Sequence, residues 1–342
     1  MPDDKQDGPG LSVVIPTLGR DTLIATLESL RCVRSPGPLE VVVVGKVGDP
    51  RVGGELNRIL SEMPGWAHLP LSFETGDSSR KKNAGFDRSR APIVAFLDDD
   101  VEVEPDWAVN LLAAFDDPQV GLVSGPALIP EGISRIGRLA GLALASPAAG
   151  YAAARYQRGT GDIRDIRWSA IIGCNMAYRR EAFRAMGQFD PAFWPGEEMI
   201  AAFKTQQAGY RIRFHTGACV YHYPRQSLSR FYRQIHGYGA TRIRLIRAGV
   251  ECEWTTLVPA AWVLFLLLAG VATWVHPWGL RLLSAGLGGY ALADVAVTVK
   301  MLVETRQPGD AWLLGLIPVM HISYGLGEWI ELCRPGRDLS ER

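Results

Sequence analysis

The stretch IVAFLDDDVEVEPDW, residues 93–107, joins a buried-strand pattern to three consecutive acids. Five apolar residues are followed at once by Asp98, Asp99 and Asp100. Neighbouring carboxylates repel one another, and a strand end that needed only a helix cap would be served by one of them. In an extended segment, side chains two residues apart share a face, so Asp98 and Asp100 can address one ligand. Oxygen ligands of this kind suit Mg²⁺ or Mn²⁺ bridging a diphosphate; a solvated turn is the alternative.

Around this stretch, the first 125 residues alternate between apolar runs and helical patterns. In chain order the strand candidates are 11–16, 39–44, 68–73, 92–97 and 120–124, and the helix candidates between them are 21–31, 51–62, 78–90 and 105–115. This alternation predicts an α/β fold with a mostly parallel, Rossmann-like sheet and right-handed crossovers. Ligands bind outside the carboxyl ends of the strands in such sheets, and the three aspartates fall at such an end.

Composition sets limits on the function classes. The chain has 342 residues, enough for one large domain or a domain with an appendage. Its 36 basic and 36 acidic residues balance, so nothing in the charge indicates a nucleic-acid partner. The five cysteines are scattered without paired spacing, which favours reduced thiols over a zinc site or a disulfide framework. The polar, Pro- and Gly-containing residues 1–10 predict a flexible N-terminus rather than a signal peptide.

The C-terminal third is apolar enough to suggest a membrane region. Residues 257–275 contain no charged side chain and are long enough to cross a bilayer. Residues 282–299 are a second candidate, and residues 311–330 are a third, weakened by internal polar residues and a proline. Residues 225–247 carry six arginines and no acid, which predicts that this side of the membrane is cytoplasmic. We therefore expect a multi-pass protein of the cell membrane with two or three spans and a cytoplasmic N-terminal domain. Buried helices of a soluble protein are the alternative.

Two further segments carry candidate chemistry. Glu197 and Glu198 begin a helical pattern, where acids are commonplace because they interact favourably with the helix dipole. Either carboxylate could instead act as a general base beside a cleft. His222 follows a short apolar run, and a lone histidine of this kind is more often structural than a metal ligand.

Taken in order, these segments resemble family 2 glycosyltransferases of the GT-A fold, over roughly residues 11–240. The resemblance is carried by VVIPTLGRDTLIATLESLRC, RKKNAGFDRSRAPIVAFLDDDVEVEPDW, GCNMAYRREAF, GQFDPAF, GEEM and AGYRIRF...VYHYPR. It implies a nucleotide-diphospho-sugar transferase domain over 11–240, and the composition adds a basic linker over 241–256, a transmembrane region over 257–333 and a tail over 334–342.

The resemblance also implies roles for individual residues. The donor nucleotide sugar would be bound by Pro16, Thr17, Arg20, Lys82, Asp98 and Asp99. A divalent metal, Mn²⁺ or Mg²⁺, would be held by Asp100 and His222. Glu198 would be the catalytic base, with Glu197 as its neighbour and alternative. The acceptor side would include Gly173, Asn175, Arg225 and Arg230. Apart from its place on the donor side, Asp99 would serve as the spacer between Asp98 and Asp100.

Some positions depart from the family pattern. The second strand ends in Gly45 and Lys46 where the family has an acid that reads the nucleobase, and Asp49 is the nearest substitute. The catalytic carboxylate is a glutamate instead of an aspartate, and Lys204 stands at the position of a family arginine. The Gln-x-x-Arg-Trp motif of processive synthases does not occur, which predicts a single transfer per acceptor.

The resulting expectation is an inverting, metal-dependent membrane glycosyltransferase that extends a lipid-linked glycan. Direct transfer of one sugar to polyprenyl phosphate is a close variant. A membrane-anchored nucleotide-sugar-binding module without turnover is a third possibility, motivated by the altered residues. A Rossmann dehydrogenase fits poorly, because no G-x-G-x-x-G motif follows the first strand.

Overall fold

The computed structural model of this chain describes residues 8–193 and 195–334. It forms two compact units. The first combines the chain up to Pro130 with Gln157–Tyr223, and the second combines Glu131–Tyr156 with the chain from Pro224 onward. The expected domain limits stay a prediction; they differ from this grouping because residues 131–156 pack with the C-terminal helices. Most of the predicted N-terminal lead-in and tail lie outside the described residues.

The elements follow the predicted alternation in the first half of the chain. The strands are β1 (Leu11–Pro16), β2 (Leu39–Val44), β3 (Trp66–Leu69), β4 (Ile93–Leu97), β5 (Val101–Val103), β6 (Val120–Ser124), β7 (Ala127–Leu128), β8 (Ile163–Ile166), β9 (Asn175–Arg179), β10 (Arg211–His215) and β11 (Val220–His222). The helices are α1 (Thr22–Arg31), α2 (Pro50–Glu62), α3 (Asp77–Arg88), α4 (Trp107–Ala113), α5 (Arg135–Ala145), α6 (Arg180–Ala185), α7 (Glu197–Gln207), α8 (Leu228–Arg247), α9 (Val258–Val275), α10 (Pro277–Thr305) and α11 (Leu313–Cys333). Short 3₁₀ segments cover Pro147–Tyr156, Trp168–Ala170, Trp254–Leu257 and Pro308–Trp312.

The first unit is built on an eight-stranded sheet with the order β3-β2-β1-β4-β9-β6-β10-β8. The pairs of β1 with β2 and β4, and of β2 with β3, are parallel, as the sequence predicts. Strand β9 is antiparallel to both β4 and β6, so the sheet is mixed rather than purely parallel. Every residue from Leu11 to Ile15 is buried, which explains why β1 is a continuous apolar run with no alternation.

The sheet places two functional segments side by side. Strands β1 and β4 are parallel neighbours, with Val14 opposite Phe96, so their carboxyl ends lie at one edge. Thr17 and Asp98 come directly after these two strands. A second sheet has the order β5-β11-β7, and its first strand, β5, begins three residues after Asp98. Strand β11 is antiparallel to β5, with His222 opposite Val101.

The third predicted strand was misplaced. The sequence predicted 68–73, whereas β3 covers Trp66–Leu69. Its register pairs Trp66 with Val41 and Leu69 with Val44. The strand ends before Pro70, because proline has no N–H to donate to the sheet. Trp66 is buried and belongs to the core, although the predicted strand began only at residue 68.

The second unit is helical. Three of its segments are long and apolar enough to cross a membrane by length and composition: Trp254–Val275, Pro277–Thr305 and Pro308–Cys333. They match the three apolar candidates read from the sequence. The first two are largely uncovered by protein, with 6% and 11% of the most apolar window buried, whereas the third is 44% buried. Helix α11 has its most extensive packing against α8.

Candidate functional site

The structure brings the two predicted metal ligands, Asp100 and His222, together with Asp98, which was predicted on the donor side. Asp98 and Asp100 follow β4, and His222 ends β11 in the adjacent small sheet. One ligand atom from each of the three lies within 4.8 Å of the others. The His222 Nε2 atom is 3.4 Å from Oδ1 of Asp100. Residues more than a hundred positions apart thus lie within reach of one ligand. A solvated turn or a helix cap, the alternative roles for the aspartates, would not need His222 at this position.

The chemistry of this group fits a divalent cation. Two carboxylates and one imidazole supply hard oxygen and nitrogen donors, the ligand types that Mn²⁺ accepts and, for the carboxylates, that Mg²⁺ prefers. Burial raises the pKa of Asp98, the positive charge of Lys82 opposes that rise, and the negative charge of Asp100 adds to it. Carboxylates crowded in this way gain stability from a cation placed between them.

Asp99 has a different task from its two neighbours. Its Oδ2 accepts a hydrogen bond from the Thr17 hydroxyl at 2.7 Å and one from the Leu18 backbone N–H at 3.1 Å. Its Oδ1 accepts a third from Nη1 of Arg20 at 3.2 Å. Asp99 is therefore more than a spacer, because it fixes the loop that follows β1. Arg20 also reaches Oδ2 of Asp100 at 3.2 Å, which ties this loop to the metal-ligand group.

Gly45 explains one departure from the family pattern. A Cβ atom at this position would lie 2.0 Å from the backbone oxygen of Thr17, and Gly45 has a φ of +151°. The end of β2 can therefore approach the Thr17 loop only without a side chain. Lys46 is exposed, and Asp49 is the N-cap of α2, where it accepts hydrogen bonds from the backbone and side chain of Arg51. The geometry of Asp49 is thus accounted for by capping.

Lys82 and Glu197 form a buried ion pair. The Lys82 Nζ atom lies 3.2 Å from Oε1 of Glu197, and their side chains are 4% and 5% exposed. Ser78 also donates to this oxygen, at 3.2 Å. Burial is the largest single influence and opposes ionisation of both groups, but their mutual attraction and the neighbouring charges and hydrogen bonds together outweigh it, so the pKa of Lys82 is raised and that of Glu197 is lowered. Glu197 is thereby held as a carboxylate engaged with Lys82.

Glu198 has the opposite electrostatic character. Burial and then the neighbouring charge of Glu197 raise its pKa to about 7, although Lys82 partly opposes the rise. Its side chain is half-buried. A Cβ atom on Gly173 would lie 3.0 Å from Cγ of Glu198, so the glycine-led turn predicted on the acceptor side makes room for this glutamate. A carboxyl that titrates near neutral pH can serve as a general base.

Asn175, which was predicted on the acceptor side, has core partners in the first unit. Asn175 is fully buried, and its amide accepts from Nε1 of Trp107 and donates to the backbone oxygens of Pro126 and Ala218. Its side chain thus connects core elements, and its acceptor role stays a prediction. Arg225 and Arg230 belong to the second unit, and their role stays a prediction.

Sequence reasoning missed two contributors to the site. Ser78 lies in the first turn of α3 and donates to Glu197, and the only signal available was its position one turn before Lys82. Cys174 is buried beside the aspartates, and burial followed by the charges of Asp98 and Asp100 raises the pKa of its thiol. A lone cysteine in sequence gave no sign of this neighbourhood. All five cysteines are free thiols, as the spacing predicted.

Comparison with known proteins agrees with this geometry. The model of the family described as glycosyl transferase family 2 matches residues 12–187, which is just over half of the chain. Among curated relatives, the succinoglycan biosynthesis protein ExoA of Rhizobium meliloti is 27% identical over 163 residues, 47% of each chain. A pre-mycofactocin glycosyltransferase of Mycobacterium tuberculosis is 30% identical over 162 residues, 47% of this chain and 33% of the relative. The O-antigen chain rhamnosyltransferase WbaN of Salmonella anatum is 28% identical over 202 residues, 53% of this chain and 62% of the relative.

The chain spans about half of the length of the Rhizobium meliloti relative and a third of the length of the Mycobacterium tuberculosis relative. Among solved structures, a mannosyltransferase from Pyrobaculum calidifontis, in complex with GDP-mannose and Mn²⁺, superposes with a TM-score of 0.56 at 18% identity. The likeness covers 94% of this chain and 87% of that one, so it extends over the helical region. It shows a GT-A fold with a mixed Rossmann-like sheet followed by C-terminal apolar helices. With the family match, the aspartate-led site and this fold, the chain belongs to glycosyltransferase family 2.

Proposed function

We propose that this chain is an inverting, metal-dependent glycosyltransferase that moves one sugar from a nucleotide-diphosphate donor to a lipid-linked glycan at the cytoplasmic face of the membrane. The product would be a cell-surface polysaccharide or glycoconjugate. The observation that carries the proposal is the convergence of Asp98, Asp100 and His222 within 4.8 Å at the carboxyl end of the sheet. Relatives with names from polysaccharide biosynthesis support the same class of product.

The donor side follows from the residues around this group. Thr17 and Arg20 are held by hydrogen bonds to Asp99, and they would line the nucleotide-binding site. Asp98, Asp100 and His222 would hold Mn²⁺ or Mg²⁺, which when bound supplies positive charge next to the departing diphosphate. The similar mannosyltransferase was solved with GDP-mannose and Mn²⁺, which supports the same ligand class here. Lys82 adds a fixed positive charge close enough to lower the pKa of the neighbouring Asp98 and Glu198 carboxyls.

Glu198 is the base in this proposal. Its pKa of about 7 lets it be ionised at neutral pH and still accept a proton. Glu197 is the poorer candidate, because its carboxylate is committed to Lys82 and its pKa is lowered. When a sugar hydroxyl attacks the anomeric carbon, its proton would pass to a carboxylate oxygen of Glu198 while the nucleoside diphosphate leaves from the opposite face.

The acceptor assignment rests on the apolar helices. An enzyme held at a bilayer meets acceptors that are themselves anchored there, so the three long apolar helices favour a lipid-linked sugar. The six arginines of residues 225–247 suit both a cytoplasmic location and an anionic pyrophosphate acceptor.

A radiolabel assay on the purified full chain tests the proposal. Labelled nucleotide sugars would be screened with Mn²⁺ and a membrane-lipid extract, and transfer to extractable lipid is expected. Transfer to polyprenyl phosphate alone would indicate the close variant, in which the acceptor is already anionic. Donor binding without transfer or hydrolysis, unchanged by Asp100→Asn and Glu198→Gln, would instead identify a non-catalytic binding module.

A further inference from the structure

We propose that only α9 and α10 cross the membrane, and that α11, although long and apolar enough to span, turns back and ends on the side from which α9 enters. Helices α8 and α11 would then form one layer at the level of the lipid headgroups on that side. The inference rests on the membrane location proposed above, and it concerns which surfaces of the second unit meet hydrocarbon and which meet headgroups.

Helices α9 and α10 form an antiparallel hairpin. The rings of Trp262 and Tyr290 stack with centroids 4.9 Å apart. Nearer the turn, Gly286 packs on Phe265, since a Cβ there would lie 2.3 Å from that ring. The turn lies at His276, between the two helices. The hairpin thus has a closed end at His276 and an open end, where α9 begins and α10 finishes.

The hairpin has the length and the surface of a membrane span. The 18 residues of α9 rise about 27 Å, close to the hydrocarbon thickness of a bilayer. Leucines in its middle, Leu267 and Leu268, are 62% and 59% exposed. At the closed end, Trp274 and Trp278 are 91% and 59% exposed, in the position of an interfacial aromatic belt.

Helix α11 stays near the open end. A Cβ on Gly325 would lie 2.3 Å from the backbone oxygen of Pro259, in the first turn of α9. Nε1 of Trp329 donates to the backbone oxygen of Ala260 at 2.9 Å. Only four residues of α11 follow Trp329, a further rise of about 6 Å. From the level of Ala260, the closed end at His276 is about 24 Å away, so α11 ends well short of it.

The end of α11 lies among charged groups of α8. Arg247 donates to the backbone oxygens of Leu332 and Arg334 at 3.0 Å. Arg244 lies 3.7 Å from the carboxylate of Glu331. Arginines are costly in the hydrocarbon layer but favourable at headgroups, so this end of α11 belongs at the membrane surface.

The exposed side chains of α8 suit the same place. Basic, aromatic and aliphatic residues are exposed at positions around the helix: Arg230, Tyr232, Arg233, Tyr238 and Ile246. A helix with this mixture lies in the interface plane, with its apolar side chains at the acyl boundary and its arginines at anionic headgroups. The charge and the continuity with the hairpin point to lipid headgroups as the partner of this layer.

Single-cysteine labelling tests the topology in the full chain. Native Cys333 and Cys32 are both exposed, so each can be left as the one reactive thiol by replacing the other and Cys252 with serine. A third reporter, His276→Cys in the background lacking those three thiols, marks the closed end. Sealed spheroplasts would be treated with a membrane-impermeant maleimide before and after permeabilisation.

The expected result is that His276→Cys labels in intact spheroplasts, whereas Cys32 and Cys333 label only after permeabilisation. Labelling of Cys333 without permeabilisation, with Cys32 still protected, would overturn the inference and make α11 a third span. If His276→Cys and a second reporter, Trp278→Cys, are both protected like Cys32, the hairpin does not cross, and the membrane placement of the proposed function fails with it. Labelling of each reporter in detergent confirms that its thiol is reactive.

Discussion

At the scale of single residues, the three consecutive aspartates are divided between two tasks. Asp98 and Asp100 face His222, whereas Asp99 accepts three hydrogen bonds from the loop after β1. Asp99 and Asp100 lie in the turn between β4 and β5, and this turn gives the two side chains different partners. A cation site and the loop beside it are thus held by neighbouring residues.

Replacing Asp100 by asparagine should weaken binding of Mn²⁺ alone. The neutral amide keeps the shape but removes one anionic ligand, and we expect a loss of more than about tenfold. Mn²⁺ titration followed by electron paramagnetic resonance measures the affinity. Glu74→Gln, at an exposed position in the first unit, is the matched control. Equal Mn²⁺ affinity in Asp100→Asn and the parent chain would sink the metal assignment.

Asp99→Asn should be milder toward the metal and should act through Thr17. We expect Mn²⁺ affinity to stay within a few-fold, while affinity for the donor falls because the loop after β1 loses its anchor. Thr17→Val removes the same 2.7 Å hydrogen bond from the other side. A double-mutant cycle on donor affinity should therefore show a coupling of about 0.5–3 kcal/mol. Strict additivity of the two substitutions would contradict the anchoring role.

Glu198→Gln should retain donor affinity and lose transfer by about 10²–10⁴-fold, the usual contribution of a general base. In the parent chain, transfer should rise as pH passes upward through about 7, because only the ionised carboxylate accepts the proton. The variant should lack this rise. Initial rates between pH 5.5 and 8.5, with donor binding measured in parallel, check both points. Normal turnover in Glu198→Gln would move the base elsewhere.

At the scale of elements, the site depends on close approaches between loops that follow different strands. Gly45 after β2 touches Thr17 after β1, and Gly173 before β9 touches Glu198 at the start of α7. Each contact brings together segments that are distant in sequence. Glycine is needed at position 45, where a Cβ would lie 2.0 Å from a backbone oxygen, whereas a Cβ at position 173 would press on the Glu198 side chain at 3.0 Å.

Gly45→Ala should destabilise the first unit by about 1–3 kcal/mol, the usual cost of overpacking, and should weaken donor binding. The added Cβ would lie 2.0 Å from the Thr17 oxygen, so the loop has to move. Gly48→Ala is the matched control, since no atom lies within 4 Å of a Cβ at that position. Thermal unfolding of both variants in the same detergent measures the difference. Equal midpoints would show that the loop accommodates the methyl group.

At the scale of the whole molecule, a GT-A unit and a helical unit rich in apolar surface are combined in one chain. The first unit contains the ionisable site. The second contains α9 and α10, in which only 6% and 11% of the most apolar window is buried by protein, so their apolar faces are uncovered. Apolar area of this extent on a soluble protein would drive aggregation. This surface supports the proposed association with a membrane.

The full chain should remain in the membrane pellet after an alkaline carbonate wash and be released by detergent. The double substitution Leu267→Arg and Leu268→Arg, in the middle of α9, should impair this retention, because each arginine costs about 2.5–3.5 kcal/mol at the centre of a spanning helix. Leu71→Arg, at an exposed position of the first unit, is the control and should leave retention unchanged. Release of the parent chain by carbonate would indicate peripheral attachment.

The sequence alone determined the features that depend on local pattern. Continuous apolar runs placed β1, β2, β4 and β6 almost to the residue, and long apolar stretches identified the apolar helices. The Asp-x-Asp spacing at a strand end indicated a ligand site, because backbone geometry fixes which side chains share a face. The pairing of Asp98 and Asp100 was therefore visible before any fold was known.

Only the tertiary structure decided which distant groups act on one another. The antiparallel register of β5 and β11 brought His222 to Asp100, and a buried ion pair with Lys82 separated the roles of Glu197 and Glu198. It also placed Asn175 in the core, where its amide is used by internal hydrogen bonds. A pKa, a shared ligand and a buried hydrogen bond depend on distance in space and on lost solvent, and sequence spacing measures neither.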